Sequence, residues 1–239
     1  MRAKITTAMV LAAGLGKRMR AHDDTLPKPL VTVSGKALID YTLDRLARAD
    51  VRTAVVNTHH MGHMIEVHLA GRTQPEIIIS REESEPLETG GGLIKATEYF
   101  PNAPIFCTNT DAILLDKQNE AWTMLSAAWV DEEMDALLLL CPVSAASGYE
   151  GTGDFLLNQS GQISWPDDGE QERFVFTGLQ IIHPRLFANE ELRKVSTRVF
   201  WEKAMQAGRM CGVVYHGRWM HVGDPEGVRA AEVELKGHR

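Results

Sequence analysis

The chain has 239 residues, 44% of them hydrophobic and 24% charged, with a formal net charge of -7. That length and balance suit one globular domain with a sizeable core, and the acidic excess argues against a nucleic-acid groove, which needs a basic surplus. No apolar run reaches membrane-spanning length and the opening MRAKITTAMV lacks the layout of a cleavable signal, so a cytoplasmic setting with no membrane partner is expected.

The first strand is expected over residues 8–12, a short apolar run that empties into Gly14 and Gly16 with Lys17, Arg18 and Arg20 behind them. Glycine has no Cβ, so the NH groups of such a loop can approach a polyphosphate while the cations neutralise it. Lys28 then stands between Pro27 and Pro29, which stiffen the backbone on either side of one ammonium group. The third glycine of a dinucleotide-binding G-x-G-x-x-G is missing, and so is the G-x-x-x-x-G-K-[ST] phosphate loop.

A short extended piece at 30–33 and a helix over 37–48 come next, followed by a strand at 53–57, a helix at 61–69 and a strand at 76–80. Strands that are apolar along their whole length, alternating with helices, predict a parallel sheet covered on both faces. The stretch EPLETGGG, from Glu85 to Gly92, opens a helix that Pro101 stops. Three glycines there cost helix propensity, so close approach of a ligand to the backbone is expected. A strand at 104–108 ends at Asn109, Thr110 and Asp111, and an acidic residue just past a strand's C-terminal end sits where open α/β sheets bind ligands. A helix at 119–130 and a strand at 136–141 complete a nucleotide-binding half, about 1–141, of a single domain spanning 1–239.

From Pro142 onward glycines punctuate the chain, and a hairpin (154–158 with 162–165) and a strand at 174–183 predict a small antiparallel extension within a sugar-binding half, about 142–239. A helix at 197–207, strands at 212–216 and 219–222 and a helix from Pro225 close the chain.

LAAGLGKRMR together with LPKPL resembles the signature of the sugar-nucleotide pyrophosphorylases, nucleotidyltransferases that join a nucleoside triphosphate to a sugar 1-phosphate and release pyrophosphate. The resemblance implies a Rossmann-like, doubly wound mixed α/β sheet of GT-A type. EPLETGGG, the short length and Phe176-Thr177-Gly178 running into His183-Pro184 resemble one bacterial branch of that family, the N-acetylmuramate α-1-phosphate uridylyltransferases of cell-wall recycling. UTP and N-acetylmuramate 1-phosphate are then the expected small-molecule partners of a monomer or small homo-oligomer. The alternatives are a guanylyl-, thymidylyl- or cytidylyltransferase acting on mannose, glucose or heptose 1-phosphate, and a catalytically weak nucleotide-sugar binding protein.

By that resemblance Arg18 holds the leaving end of the triphosphate and Lys28 the α-phosphate or the sugar phosphate. Leu11, Ala12, Ala13, Gly14 and Gly16, with Glu83, Gly90 and Asn109, meet the nucleotide, and Gly151, Asp154 and Gly178 the sugar. Asp111 matches the family's metal-binding aspartate and implies Mg²⁺. His221 stands where a second aspartate is implied, and imidazole suits Mn²⁺ or another transition ion better than Mg²⁺. Asp224 is the nearby carboxylate that could take its place.

Several features read as structural. Cys107, Cys141 and Cys211, odd in number and set in apolar runs, are expected to be reduced core residues. Among the clustered histidines His68 falls on the apolar helical face, while His59 and His60 at a strand end fix a loop. Trp122, Trp129 and Trp201 are expected as core or interface anchors, and the acidic runs 131–133 and 167–170 as solvated surface.

Overall fold

A computed structural model of the chain describes residues 4–20, 25–116, 120–169 and 171–237. Asn119 and Glu170, which figured in the expected helix and acidic run, lie outside the described residues, as does the side chain of Arg20.

In chain order the elements are β1 (Thr7–Leu11), α1 (Lys17–Arg20), β2 (Thr32–Val33), β3 (Lys36–Ala37), α2 (Leu38–Arg48), β4 (Thr53–Thr58), α3 (Gly62–Leu69), β5 (Glu76–Arg81), α4 (Glu88–Lys95), β6 (Ile105–Asn109) and β7 (Ala112–Leu115). They continue with α5 (Glu120–Ala128), β8 (Ala136–Pro142), β9 (Ala146–Ser147), β10 (Leu156–Leu157), β11 (Ile163–Ser164), β12 (Phe174–Ile182), α6 (Arg198–Gln206), β13 (Met210–Val214), β14 (Arg218–His221) and α7 (Pro225–Lys236).

Among the described residues the main sheet runs β13-β8-β12-β6-β1-β4-β5. Only β12 is reversed: it pairs antiparallel with both β6 and β8, while the other neighbours pair in parallel. The sheet is therefore doubly wound and mixed, as expected. The reversed strand is not an appendage, however. It lies in the middle of the sheet, so β8, expected in the nucleotide half, is reached only across a strand of the sugar half.

The period of two along each strand divides the core. In β1, Ala8 and Val10 pack with Ile39, Leu43 and Leu46 of α2, Ile65 and Leu69 of α3 and Trp122 and Leu125 of α5. Met9 points the other way, to Leu93 and Ile94 of α4 and Phe200, Trp201 and Ala204 of α6. Burial on both faces is why β1 reads as a continuous apolar run, each such aliphatic side chain contributing about 1.5–3 kcal/mol. Trp122, Trp129 and Trp201 are buried in these layers. Cys107, Cys141 and Cys211 are free thiols, the first two buried. A third apolar cluster, with Val33, Ile113, Met220 and Ala231, seats α7 on the small sheet β7-β14-β9.

His68 departs from expectation. Its side chain faces outward and its Nε2 lies 2.8 Å from Asp40 Oδ2, while Gly62, Ile65 and Leu69 form the buried side of α3 and Met64 packs partly against the core. His59 does fix a loop, with Nδ1 2.6 Å from the Glu82 carbonyl oxygen. No helix among the described residues is long and apolar enough to cross a membrane.

Candidate active site

The parallel strands β1, β4, β5 and β6 deliver Leu11, Thr58, Arg81 and Asn109 to one edge of the sheet, the edge at which open α/β sheets bind ligands. The loop after β1 turns through Gly16 at φ 58°, in the left-handed region, and a Cβ on Gly16 would lie 3.0 Å from Lys28 Cβ. The glycine thus permits both the turn and the contact with Lys28. Lys28 opens a short 3-10 turn behind the extended Pro27. Its side chain is 13% exposed, and Nζ donates to Asp111 Oδ2 at 2.8 Å.

Asp111 follows β6 at the start of the turn into β7. The pairing of β14 with β7 brings His221 opposite Ala112, and Val222 NH donates to the Asp111 carbonyl at 2.8 Å. Burial raises the Asp111 pKa, but the charge and hydrogen bond of Lys28 outweigh it and hold the carboxyl below its ordinary value. Burial pushes the His221 imidazole down, and Lys28 and Arg18 add to that against the pull of Asp111 and Asp224, leaving an unprotonated ring at neutral pH. Arg18 closes the group: a Cβ on Gly223 would fall 2.2 Å from His221 Nε2 and 3.1 Å from Arg18 Nη2, so the guanidinium and the ring flank this glycine.

Asp224 is otherwise engaged. It caps α7, its Oδ1 accepting from Gly227 NH at 2.9 Å. That bond and the nearby Arg18 keep its pKa low. Among the described residues no three His, Cys, Asp or Glu side chains converge as a complete metal site. The donor set still fits a divalent ion that takes the Asp111 carboxylate and the neutral His221 ring and completes its shell with phosphate oxygens, as Mg²⁺ commonly does with one or two carboxylates.

A buried polar chain supports the other side of the loop. Asn57, the fifth residue of β4, accepts from Ala12 NH at 2.7 Å and Ala13 NH at 3.3 Å through Oδ1, and its Nδ2 donates to Glu82 Oε1 at 2.7 Å. Glu82 Oε2 accepts from Leu87 NH at 2.7 Å. The amides of Ala12 and Ala13 are therefore occupied within the protein, and what the loop presents to a ligand beyond them is the stretch from Gly14 to Gly16. Glu82, only 3% exposed, lines the cleft, whereas Glu83 is exposed and does not. Sequence reasoning missed Asn57 and Glu82, although polar residues at the C-terminal ends of two buried strands were the available signal.

The glycines of EPLETGGG serve a different partner from the one expected. Gly90 and Gly91 NH both donate to the Val195 carbonyl, at 2.8 and 2.9 Å. A Cβ on Gly90 would meet that oxygen at 2.8 Å, one on Gly91 the Arg193 carbonyl at 2.5 Å, and one on Gly92 Asn57 Nδ2 at 2.7 Å. Gly90 and Gly91 admit the protein's own segment 193–196 and Gly92 the Asn57 side chain, and Gly90 is not among the lining residues of the cleft.

Three adjoining cavities run along this edge. One of about 530 Å³ is lined by Leu11 through Arg18, Lys28, Asn57, Glu82, Thr89, Asn109, Asp111 and Lys194. A second, about 630 Å³, holds Gly151, Asp154, Gly178, His221 and Asp224. The third, about 560 Å³, is walled by Phe155, Trp165, Phe176, Thr197, Arg198 and Trp201. Arg18, Asn109 and Asp111 border both of the first two, and Asp154 both of the last two. Gly178, at φ 88°, sits where the register of β12 against β8 shifts, its Cβ position 3.2 Å from Asn109 Cβ. Asp154 Oδ2 accepts from Phe176 NH at 2.9 Å. The residues named for phosphates and metal thus lie at the junction of the first two cavities, and those named for sugar on the far side of it.

Residues 8–145 match the MobA-like NTP transferase domain. A protein of Caulobacter vibrioides named N-acetylmuramate alpha-1-phosphate uridylyltransferase is 42% identical over 232 residues, 95% of this chain and 96% of its own. One of the same name from Neisseria meningitidis serogroup B is 32% identical, over 90% and 92% of the two chains. The solved inositol-1-phosphate CTP transferase of T. maritima superposes with a TM-score of 0.78 at 18% identity, covering 99% of this chain and 97% of that one, a likeness of fold.

Proposed function

Since the chain belongs to the MobA-like NTP transferase family, we propose that it joins UTP to N-acetylmuramate 1-phosphate and releases pyrophosphate. The observation that carries the choice of substrates is the near full-length similarity to the uridylyltransferase of that name.

In the reaction an oxygen of the sugar phosphate attacks the α-phosphorus, the new P–O bond forms, and the bond to the β-phosphate breaks with its electrons leaving on pyrophosphate. The attacking oxygen is already ionised, so no side-chain base is needed. What the chain must supply is position and positive charge. In this reading Arg18, which borders the first two cavities, and Lys28, which lines the first, draw the two anions together, while Asp111 fixes the Lys28 ammonium at 2.8 Å. Asn57 and Glu82 hold the loop after β1 and the backbone at Leu87 at a set spacing, so the triphosphate meets a formed cleft. Asp111 and His221 would hold a divalent ion. Once bound, such an ion offsets charge developing on the phosphates. A cytoplasmic setting belongs to the same reading.

The test is pyrophosphate release across the common nucleoside triphosphates and sugar 1-phosphates, with Mg²⁺ and with Mn²⁺. Release with UTP and N-acetylmuramate 1-phosphate well above every other pair is expected. A higher rate with GTP and a heptose or mannose 1-phosphate would overturn the choice of substrates, and nucleotide binding without turnover of any pair would overturn catalysis.

A further inference from the structure

The third cavity carries a chemistry different from that of the other two. Its wall is aromatic, with Phe155 stacked on Trp165 at 5.1 Å and Trp201 edge-on to Phe176 at 5.1 Å. Over the Trp165 ring, at 4.4 Å from the centroid, lies the Arg198 guanidinium, and among the described residues no carboxylate pairs with it. An arginine held over an indole ring already has its reach restricted while its N–H groups stay able to donate, so less entropy remains to be lost when an anion binds. Beside it Thr197 is 2% exposed, and its Oγ1 has no hydrogen-bond partner among the described residues. A buried hydroxyl left this way costs free energy that a ligand oxygen would recover.

N-acetylmuramate differs from N-acetylglucosamine by a carboxyethyl ether, one anionic arm on an otherwise neutral ring. The second cavity is a poorer place for that arm, since Glu150, Asp224 and Glu226 line it and not the third, whereas Asp154 borders both. We propose that the third cavity receives the acidic arm, with Arg198 and the Thr197 hydroxyl as its donors, and that this pair selects carboxylate-bearing sugar phosphates over neutral ones. The inference rests on the proposed function and refines it. The backbone beneath the two donors is held in place. Val195 accepts through its carbonyl from the start of α4, and Thr197 NH donates to Thr89 Oγ1 at 2.9 Å, so the cation stands on a clamped segment.

Pyrophosphate release with UTP is measured for N-acetylmuramate 1-phosphate and N-acetylglucosamine 1-phosphate in the unaltered protein and in Arg198→Gln, Arg198→Lys and Thr197→Val. Binding of each sugar phosphate to the nucleotide-loaded protein is followed by calorimetry. The ratio of kcat/KM, acidic over neutral sugar, should fall about 10- to 100-fold in Arg198→Gln, chiefly through KM, as expected for loss of a charge-assisted hydrogen bond. Lysine should restore part of it, and Thr197→Val should lower it several-fold. A ratio unchanged in Arg198→Gln, with or without a general loss of activity, overturns the inference and leaves arginine only a packing role on Trp165. Failure of the unaltered protein to use the acidic sugar would overturn the proposed function itself, a result visible before any variant is made.

Discussion

Lys28 and Asp111, separated by 83 positions in sequence, meet at 2.8 Å in the cleft. The pair is only partly exposed, the carboxylate 27% and the lysine 13%. It brings together the loop after β1 and the turn after β6, neighbours in the sheet.

Asp111→Asn keeps the shape of the side chain and removes its charge. Lys28 then loses its anchor and any divalent ion its only carboxylate in the proposed pair. A fall in kcat of about 10²–10³ is expected, the scale of losing one preorganised electrostatic group, together with a loss of about 1–3 kcal/mol of stability, because the largely buried Lys28 is left without its partner. Steady-state pyrophosphate release and a thermal melt measure the two. A loss below tenfold would remove Asp111 from the reaction centre.

Asn57 and Glu82 predict a different signature. Glu82→Leu leaves Asn57 Nδ2 and Leu87 NH without their acceptors in a buried place, each costing about 1–3 kcal/mol. Stability should therefore drop along with nucleotide affinity. Glu83→Leu, at an exposed neighbour, should do neither. Urea unfolding with nucleotide titration separates the two outcomes.

That contrast shows what the sequence could and could not disclose. The parallel sheet with helices on both faces was legible because nearly continuous apolar strands stand out as TAMVL, TAVVN and EIIIS, although β5 is only partly buried. Gly14, Gly16, Lys28 and Asp111 were legible because a glycine turn, a proline-flanked lysine and an acidic strand end each have a local cause. Glu82 and Glu83 are adjacent and chemically alike, and only the direction of the chain leaving β5 decides which one is buried. Nor does any local signal in Thr197-Arg198 announce Trp165, more than thirty residues earlier and just past β11, as its neighbour. The glycines of EPLETGGG were rightly marked as places of close approach, but what approaches is a segment about a hundred residues away, beyond the reach of local pattern.

The glycines give a stability test of that last point. Gly91→Ala places a Cβ 2.5 Å from the Arg193 carbonyl, and Gly90→Ala one at 2.8 Å from that of Val195, so the 193–196 segment must move. A destabilisation of about 1–3 kcal/mol is expected for each, the range for overpacking. Gly14→Ala has nothing within 4 Å and should melt as the unaltered protein does. Equal melting temperatures for all three would contradict the close approach.

Acid stability depends on a group outside the cleft. Asp135 accepts from Arg185 Nε at 2.6 Å and pairs with Arg209 Nε at 2.9 Å. Burial raises its pKa, but the two guanidinium groups outweigh burial and leave it below the ordinary 3.8. A depressed folded-state value means the unfolded chain binds the proton first. The stabilisation is therefore complete above pH 3.8 and is lost as pH falls through the folded value. Asp135→Asn should lose about 1–3 kcal/mol at neutral pH and show a flatter stability profile between pH 5 and 3. Urea melts across that range would refute the assignment if both proteins lost stability in parallel.

His221 gives the sharpest contrast between ions. Its ring stacks on Trp219 with centroids 6.0 Å apart and sits beside Asp111 on the paired strand. A nitrogen donor favours Mn²⁺ over Mg²⁺, whereas a second carboxylate favours the hard ion. His221→Asp should therefore raise the rate with Mg²⁺ relative to Mn²⁺ by about tenfold, a shift of roughly 1.4 kcal/mol in relative ion preference. A Cβ at Gly223 would lie 2.2 Å from His221 Nε2, so the glycine already admits the imidazole, and the shorter aspartate demands less space there. Manganese binding followed by electron paramagnetic resonance, with UTP present, gives the same preference independently of turnover. If the ratio of the two ions is the same in both proteins, His221 does not face the ion, and Asp111 alone among these residues remains as its ligand.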